Sequence, residues 1–399
     1  MKFPNKHVCS SLNDLPEELL AEIAKRLTRT SDLNSLSLVS KRFYTVEAKI
    51  RDSILVGYGL YPVTLALKSL CSRFPNLCKV EFNYFGNHDK HGMQLGNHEL
   101  HVFSSCCPLL TDLTLSFCSN IDDSGLGFLA CFKKLTSLRL NTLSEITSSG
   151  LLLVAVGCKN LSAIHLISCN KVGSVEWLEY LGRVGSLQEL VVKNCRRISQ
   201  FDLLTFGPGW MKLQKFEFEI AGYVYKTALT DGSLKALALG CLVLQSFELR
   251  FWGCEPDWPE IGFTQEGLVT LIQSCPIRHL VLSGANIFDD DGMKALSSAQ
   301  SLESLELEQC IAITDAGMRL LACSPCLMNF TLRLCDGVTD DGVSEVVRVL
   351  RLESLVIEKC AQVSLQAVQG AAKSVHYRND CPGYAEWLDE VLSNFRFLV

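Results

Sequence analysis

The sequence predicts an α/β solenoid, with parallel strands on a concave face and helices outside, preceded by a small three-helix unit. Three observations predict it. One phrase recurs at nearly constant spacing from Leu77 onward. Each copy has two halves with different hydrophobic periods. The residues before Leu77 carry no copy and show helical spacing instead.

The phrase is clearest at Leu302-Glu-Ser-Leu305-Glu-Leu307-Glu-Gln-Cys310, followed by Ile313-Thr314-Asp315-Ala-Gly317-Met318. Copies start at Leu77, Leu110, Leu135, Leu161, Leu187, Leu213, Leu244, Ile277, Leu302, Leu327 and Leu352, which makes eleven units, mostly 25 or 26 residues apart. Pairs such as Leu113 and Leu115, or Leu305 and Leu307, alternate with polar neighbours, the period of a short strand. The second half has helical spacing, as in Leu126, Leu129 and Ala130. A capping residue precedes it: Asp122, Thr147, Thr264, Asp289, Thr314 or Thr339. A glycine follows each of these three residues later (Gly125, Gly150, Gly267, Gly292, Gly317, Gly342). Glycine so early in a helix costs propensity, so close approach to the neighbouring unit's backbone is expected there. One unit cannot bury its apolar face alone, whereas stacked copies can.

The phrase resembles the cysteine-containing leucine-rich repeat, and the resemblance covers most of the chain. It also gives the 19 cysteines a place. Cys118, Cys169, Cys195, Cys310, Cys335 and Cys360 occupy the ninth position of their units, where a buried thiol serves as a compact hydrophobe. A ladder of free thiols is expected at Cys310, Cys335 and Cys360, because parallel Cβ vectors and a reducing compartment oppose disulfides.

The front unit begins Leu12-Asn-Asp14-Leu15-Pro16-Glu-Glu-Leu19-Leu20, then Ile23 and Leu27. Asp14 is a candidate cap and Pro16 suits a first turn. Leu19, Leu20, Ile23 and Leu27 fall on one helical stripe. A second phrase runs Asp32-Leu33-Asn-Ser-Leu36-Ser-Leu38-Val39-Ser-Lys-Arg-Phe43. A unit this small cannot bury all its leucines, so some should face a partner. Residue type and spacing across these two phrases resemble an F-box. The resemblance implies a substrate-recognition subunit of an SCF-type (cullin–RING) ubiquitin ligase. Leu15, Pro16, Leu19, Leu20, Ile23, Leu36, Leu38 and Val39 would contact a Skp-type linker, and through it cullin and a RING protein. Phe43 would pack inside. The alternative is a repeat scaffold with no ligase role.

The expected organisation is a disordered stretch over 1–11, the F-box over 12–55, a junction helix over 56–76, the solenoid over 77–376, and a cap over 377–399.

Composition excludes other classes. With 48% hydrophobic and 20% charged residues the chain has core material and is not disordered. A balance of 37 basic against 43 acidic side chains implies no broad electropositive face, so no nucleic-acid partner is expected. No apolar run approaches the roughly 20 residues that cross a bilayer, and Met1–Ser11 has no apolar signal region. The nucleus or cytoplasm is the expected location. No phosphate loop or nucleophile elbow is present, so the chain is read as non-catalytic.

His88, His91, His98 and His101 read as a solvated loop cluster, and Cys323-Ser-Pro-Cys326 has ligand spacing but no second pair. No metal and no cofactor is assigned. The substrate surface, for an unknown protein, is expected on loops of two consecutive over-long units. Tyr223, Tyr225, Trp252 and Trp258 lie there, with Arg250 ending the adjacent strand. The acidic strand positions Glu217, Glu219, Glu248, Glu306 and Glu308 would suit a peptide with some basic residues.

Overall fold

The computed structural model describes residues 15–27, 29–58, 62–86, 94–174, 176–198, 208–221, 229–252 and 262–379. Thirteen parallel strands form one sheet in strict sequence order. β2 (Lys79–Asn83) to β12 (Leu352–Glu358) are the strands of the eleven repeat starts. The sheet extends beyond them at both ends. β1 (Ser53–Val56) pairs with β2, and β13 (Ala372–Arg378) pairs with β12.

The register repeats without slip. Leu305 and Leu307 stand opposite Phe330 and Leu332, which stand opposite Leu355 and Ile357. These positions are at most 1% exposed and point away from the concavity into one continuous core. The alternate positions line the concave face.

Three small helices lead the chain: α1 (Glu17–Lys25), α2 (Thr30–Val39) and α3 (Lys41–Ile50). Then α4 (Val63–Arg73) and α5 (Asn97–Cys106) open a convex helix layer. It continues with α6 (Asp123–Gly127), α7 (Ser148–Gly157), α8 (Glu176–Val184), α9 (Asp231–Gly240), α10 (Gln265–Ser274), α11 (Asp290–Ser297), α12 (Asp315–Leu321), α13 (Asp340–Val349) and α14 (Leu365–Val368).

All six expected capping residues are N-caps, from Asp122 on α6 to Thr339 on α13. The stack adds a link between units. The first helical residue of one unit, Asp315, accepts from both the amide and the hydroxyl of the next cap, Thr339, at 2.8 and 2.7 Å. Asp123–Thr147, Asp231–Thr264, Asp290–Thr314 and Asp340–Ser364 repeat this bond pair. The early helical glycine now has its cause. A Cβ on Gly342 would intrude on the Asp315 carboxylate, and one on Gly150 on that of Asp123. The neighbour that excludes a side chain is the bridging carboxylate first and the backbone second.

The ninth-position thiols point back along the stack. Cys169, Cys310 and Cys335 donate to the carbonyls of Leu140, Leu282 and Leu307 in the preceding strand, at 3.3–3.6 Å. Cysteine is small enough for the turn and still offers a weak donor. The residue before the ninth position, a cysteine in all of these units but that of Leu143, carries positive φ without being glycine: Phe117, Thr142, Ser168, Asn194, Gln309, Leu334 and Lys359 lie between 52° and 57°. Each sends its amide to a carbonyl of the next strand, as Leu334 does to Glu358 at 3.0 Å. These bonds between units hold the left-handed turn against its local cost.

Leu20, Phe43 and Val46 close a separate small core in the front unit. An ionic latch ties that unit to the solenoid. Glu47 on α3 is 1% exposed and pairs with Arg51 at the end of its own helix and with Arg73 Nη2 on α4 at 2.9 Å. The Arg73 guanidinium also lies 4.0 Å from the Tyr44 ring centroid, and Arg51 donates to Asn34 Oδ1 at 2.8 Å.

Candidate functional site

The front helices sort their apolar residues by what α3 can cover. Phe43 and Val46 cover Leu20 completely. Leu15 and Leu36 are half-buried against the same core. Leu19 and Ile23, one helical turn apart on α1, remain 51% and 41% exposed, and Leu38 and Val39 on α2 remain 86% and 65% exposed. Pro16 is exposed as the N-cap of α1. The single stripe of Leu19, Leu20, Ile23 and Leu27 expected from periodicity is therefore split. Leu20 faces inward and is not available to a partner.

The second surface is the concave sheet from β4 (Ser137–Asn141) to β13. On the third row of concave positions, opposite charges stand side by side across strands: Lys193, Glu219 and Arg250, then Glu308, Arg333 and Glu358. Such cross-strand pairs stabilise a sheet. Lys215 Nζ lies 3.3–3.7 Å from Glu189, Glu217 and Glu248. Lys193 pairs with Glu217 and, at 3.6 Å, with Glu219. Arg250 reaches across β9 (His279–Ser283) to Glu306 at 3.1 Å and Glu308 at 3.5 Å, above the fully buried Val281 and Ser283. Arg333 closes the chain on Glu306 at 2.7 Å and Glu358 at 2.6 Å. At the other end His165 Nδ1 accepts from Arg139 Nε at 3.2 Å, and its Nε2 lies 3.2 Å from Glu189.

Burial pushes the Glu308 and Glu219 carboxyls above their ordinary pKa, with neighbouring cations pulling the other way. Burial also works against the Glu217 carboxylate, yet the hydrogen bonds and charges of Lys193 and Lys215 hold its pKa below the ordinary value. The acidic stretch is thus an internally paired network. From β6 (Glu189–Lys193) to β12 the concave carboxylates of Glu189, Glu217, Glu219, Glu248, Glu306, Glu308 and Glu358 still outnumber Lys193, Lys215, Arg250 and Arg333.

Of the expected substrate residues, Tyr223, Tyr225 and Trp258 lie outside the described residues, as do Asp14, residues 1–11 and the cap residues 380–399. The backbone of Trp252 ends β8 (Ser246–Trp252) opposite Ala221, and its side chain lies outside the described set. Arg250 is described, and it is bound into the network. His98 and His101 sit on α5 and not in a loop, with His101 stacked 4.4 Å from the Phe128 ring; His88 and His91 lie outside the described residues. Cys323 and Cys326 are exposed free thiols. Among the described residues no group of three or more His, Cys, Asp or Glu could hold a metal ion, and no helix is long and apolar enough to cross a membrane.

Sequence reasoning missed the cross-strand charge alternation. Its signal was present, since Lys193, Glu219, Arg333 and Glu358 all stand two residues before the ninth position of their units.

A family model described as F-box-like matches residues 12–47, and one described as Leucine Rich repeat matches residues 273–297. The chain thus carries an F-box-like segment at its N-terminus and leucine-rich repeat sequence behind it. Among solved structures, it is similar to the yeast Rad7 and Elc1 complex, with 16% identity and a TM-score of 0.51 over 88% of this chain and 89% of that one. That likeness concerns the fold. It is also similar to an internalin (InlF) of Listeria monocytogenes, with 14% identity and a TM-score of 0.45 over 94% of this chain and 100% of that one.

Proposed function

We propose that this protein is the substrate-recognition subunit of an SCF-type (cullin–RING) ubiquitin ligase. In this reading the F-box-like helices dock a Skp-type linker, the concave sheet and its rim loops receive a protein substrate, and the partners perform the ubiquitin chemistry. One observation carries it. Leu19, Ile23, Leu38 and Val39 stay 41–86% exposed on two short helices whose small core is already closed by Leu20, Phe43 and Val46. Large apolar side chains left out of a complete core are what a partner's groove would cover. Pro16 joins this surface, and Leu15 and Leu36 support it from below. Leu20 acts through folding alone. On the substrate side, Tyr223, Tyr225, Arg250, Trp252 and Trp258 remain the proposed rim, with Arg250 also holding the sheet network.

The test is co-purification of the full chain with a Skp-type linker. Association that is lost in Leu19→Asp/Ile23→Asp, with circular dichroism unchanged, supports the reading. No association by the unmutated protein leaves a repeat scaffold without a ligase role.

A further inference from the structure

Most buried thiols of this protein answer to the backbone. Cys169, Cys310 and Cys335 donate to strand carbonyls of the preceding unit, Cys158 donates to Leu129 O at 3.3 Å, and Cys275 donates to Cys241 O at 3.5 Å. Among the described residues two pairs also answer to each other: Cys169 and Cys195 inside the strand ladder, and Cys71 and Cys107 between two helices. Cys71, in the last turn of α4, is 6% exposed, and Cys107, the residue that ends α5, is 4% exposed. Their Sγ atoms lie 2.9 Å apart. Both belong to the apolar core under the first repeat. They come from different helices, so their Cβ vectors are not held parallel as those of the strand ladder are.

We propose that Cys71 and Cys107 are a two-electron oxidation site that closes into a disulfide and staples α4 to the first repeat. The reaction needs an oxidant of the hydroperoxide or diazene class. With a diazenedicarboxamide, the thiolate of one of the two adds to the N=N bond. The other sulfur then attacks that sulfur and expels the hydrazine. One S–S bond forms, two S–H bonds are lost, and the two electrons and two protons reside on the reduced reagent. With a hydroperoxide the same electrons reduce the O–O bond, and water leaves with the alcohol, or with a second water from hydrogen peroxide.

Either sulfur can be the donor across the 2.9 Å contact, so either thiol can ionise and attack while the other resolves the intermediate.

The position gives the bond a consequence. The same helix that would be stapled carries Arg73, the partner of buried Glu47 in the front unit. Oxidation would fasten α4 covalently to the repeats while the ionic latch fastens it to the F-box-like helices. This inference does not depend on the ligase reading, since it concerns two thiols that belong to neither proposed docking surface.

The experiment treats the purified full chain with diamide, blocks remaining thiols with N-ethylmaleimide, and maps unreduced tryptic peptides by mass spectrometry. The expected product joins the peptide carrying Cys71 to the one carrying Cys107, 2 Da lighter than the two thiol peptides together, and reductant reverses it. The link persists in Cys106→Ser, is lost in Cys71→Ser and in Cys107→Ser, and leaves Cys310, Cys335 and Cys360 alkylatable after unfolding. Recovery of Cys71 and Cys107 from the oxidised unmutated protein as separate alkylated peptides overturns the proposal. A link from Cys71 to Cys106 in its place also overturns it.

Discussion

Asp315 opens α12 and caps the next helix through Thr339, whose amide and hydroxyl it accepts at 2.8 and 2.7 Å. One carboxylate therefore joins two units, and Gly342 leaves the space it occupies. Gly342→Ala should push that carboxylate off its two donors and destabilise the protein by about 1–3 kcal/mol. Thr339→Ala removes the cap and should cost about 1 kcal/mol. The pair with Asp315→Ala forms a double-mutant cycle in urea unfolding. Gly342→Ala should cost much less in the Asp315→Ala background, because the obstructed group is gone. Additive costs would show that the glycine answers to something else.

The latch between the two parts rests on one buried charge. Glu47→Gln leaves Arg51 and Arg73 facing a neutral amide in a buried site, which should cost about 3 kcal/mol or more. The loss should appear at the junction first, as faster proteolysis between Ile50 and Val63 while the distal repeats stay protected. Equal protection of that junction in variant and unmutated protein would remove Glu47 from this role.

Arg250 should behave as a structural residue as well as a surface one. Arg250→Ala leaves Glu306 with Arg333 alone and takes from Glu308 the cation 3.5 Å away, so thermal unfolding should begin at lower temperature. An unchanged midpoint would show that the concave network is worth nothing to the fold.

That network also has a pH signature of two opposite signs. Glu308 has a raised folded pKa, so the folded form holds its proton more tightly than the unfolded one. Its contribution to stability is highest below the unfolded value near 4.5 and falls as pH rises through the interval up to the raised folded value. Glu217 has a lowered folded pKa, so its contribution is present above 4.5 and is lost as pH falls through the lowered value. Urea titrations at stepped pH should show Glu308→Gln gaining on the unmutated protein as pH rises above 4.5. Glu217→Gln should close its deficit as pH falls below it. Parallel curves for both variants would contradict this assignment.

The cysteines divide by position. A brief iodoacetamide pulse on native protein should label the exposed Cys131, Cys323 and Cys326 and spare Cys310, Cys335 and Cys360 until denaturant is added. A disulfide between Cys310 and Cys335 would overturn the ladder of free thiols.

The strands were legible because Leu305, Leu307 and their counterparts repeat at one spacing, and each strand has only one face to bury. The caps were legible for a similar reason, since Thr314 and Thr339 precede a helical period. The bridge from Asp315 to Thr339 was not, although an aspartate recurs after the cap at Asp123, Asp290, Asp315 and Asp340. A contact 24 residues away leaves no mark on local periodicity. The left-handed turn at Phe117, Leu334 and Lys359 was hidden because these residues do not favour positive φ, and bonds from the next strand impose it. In the front unit, helical spacing placed Leu19 and Leu20 together. The position of Phe43 and Val46 decides which of them is buried, and only the packed structure supplies it.

The central claim is that the exposed apolar residues of α1 and α2 dock a Skp-type linker. Isothermal titration of the full chain with a purified Skp-type linker tests it most directly. Saturable one-to-one binding is expected, weakening at least tenfold in Leu19→Asp/Ile23→Asp and in Leu38→Asp/Val39→Asp, while Arg250→Ala binds as the unmutated protein does. Undetectable binding by the unmutated protein, or binding that both double variants retain in full, would contradict it.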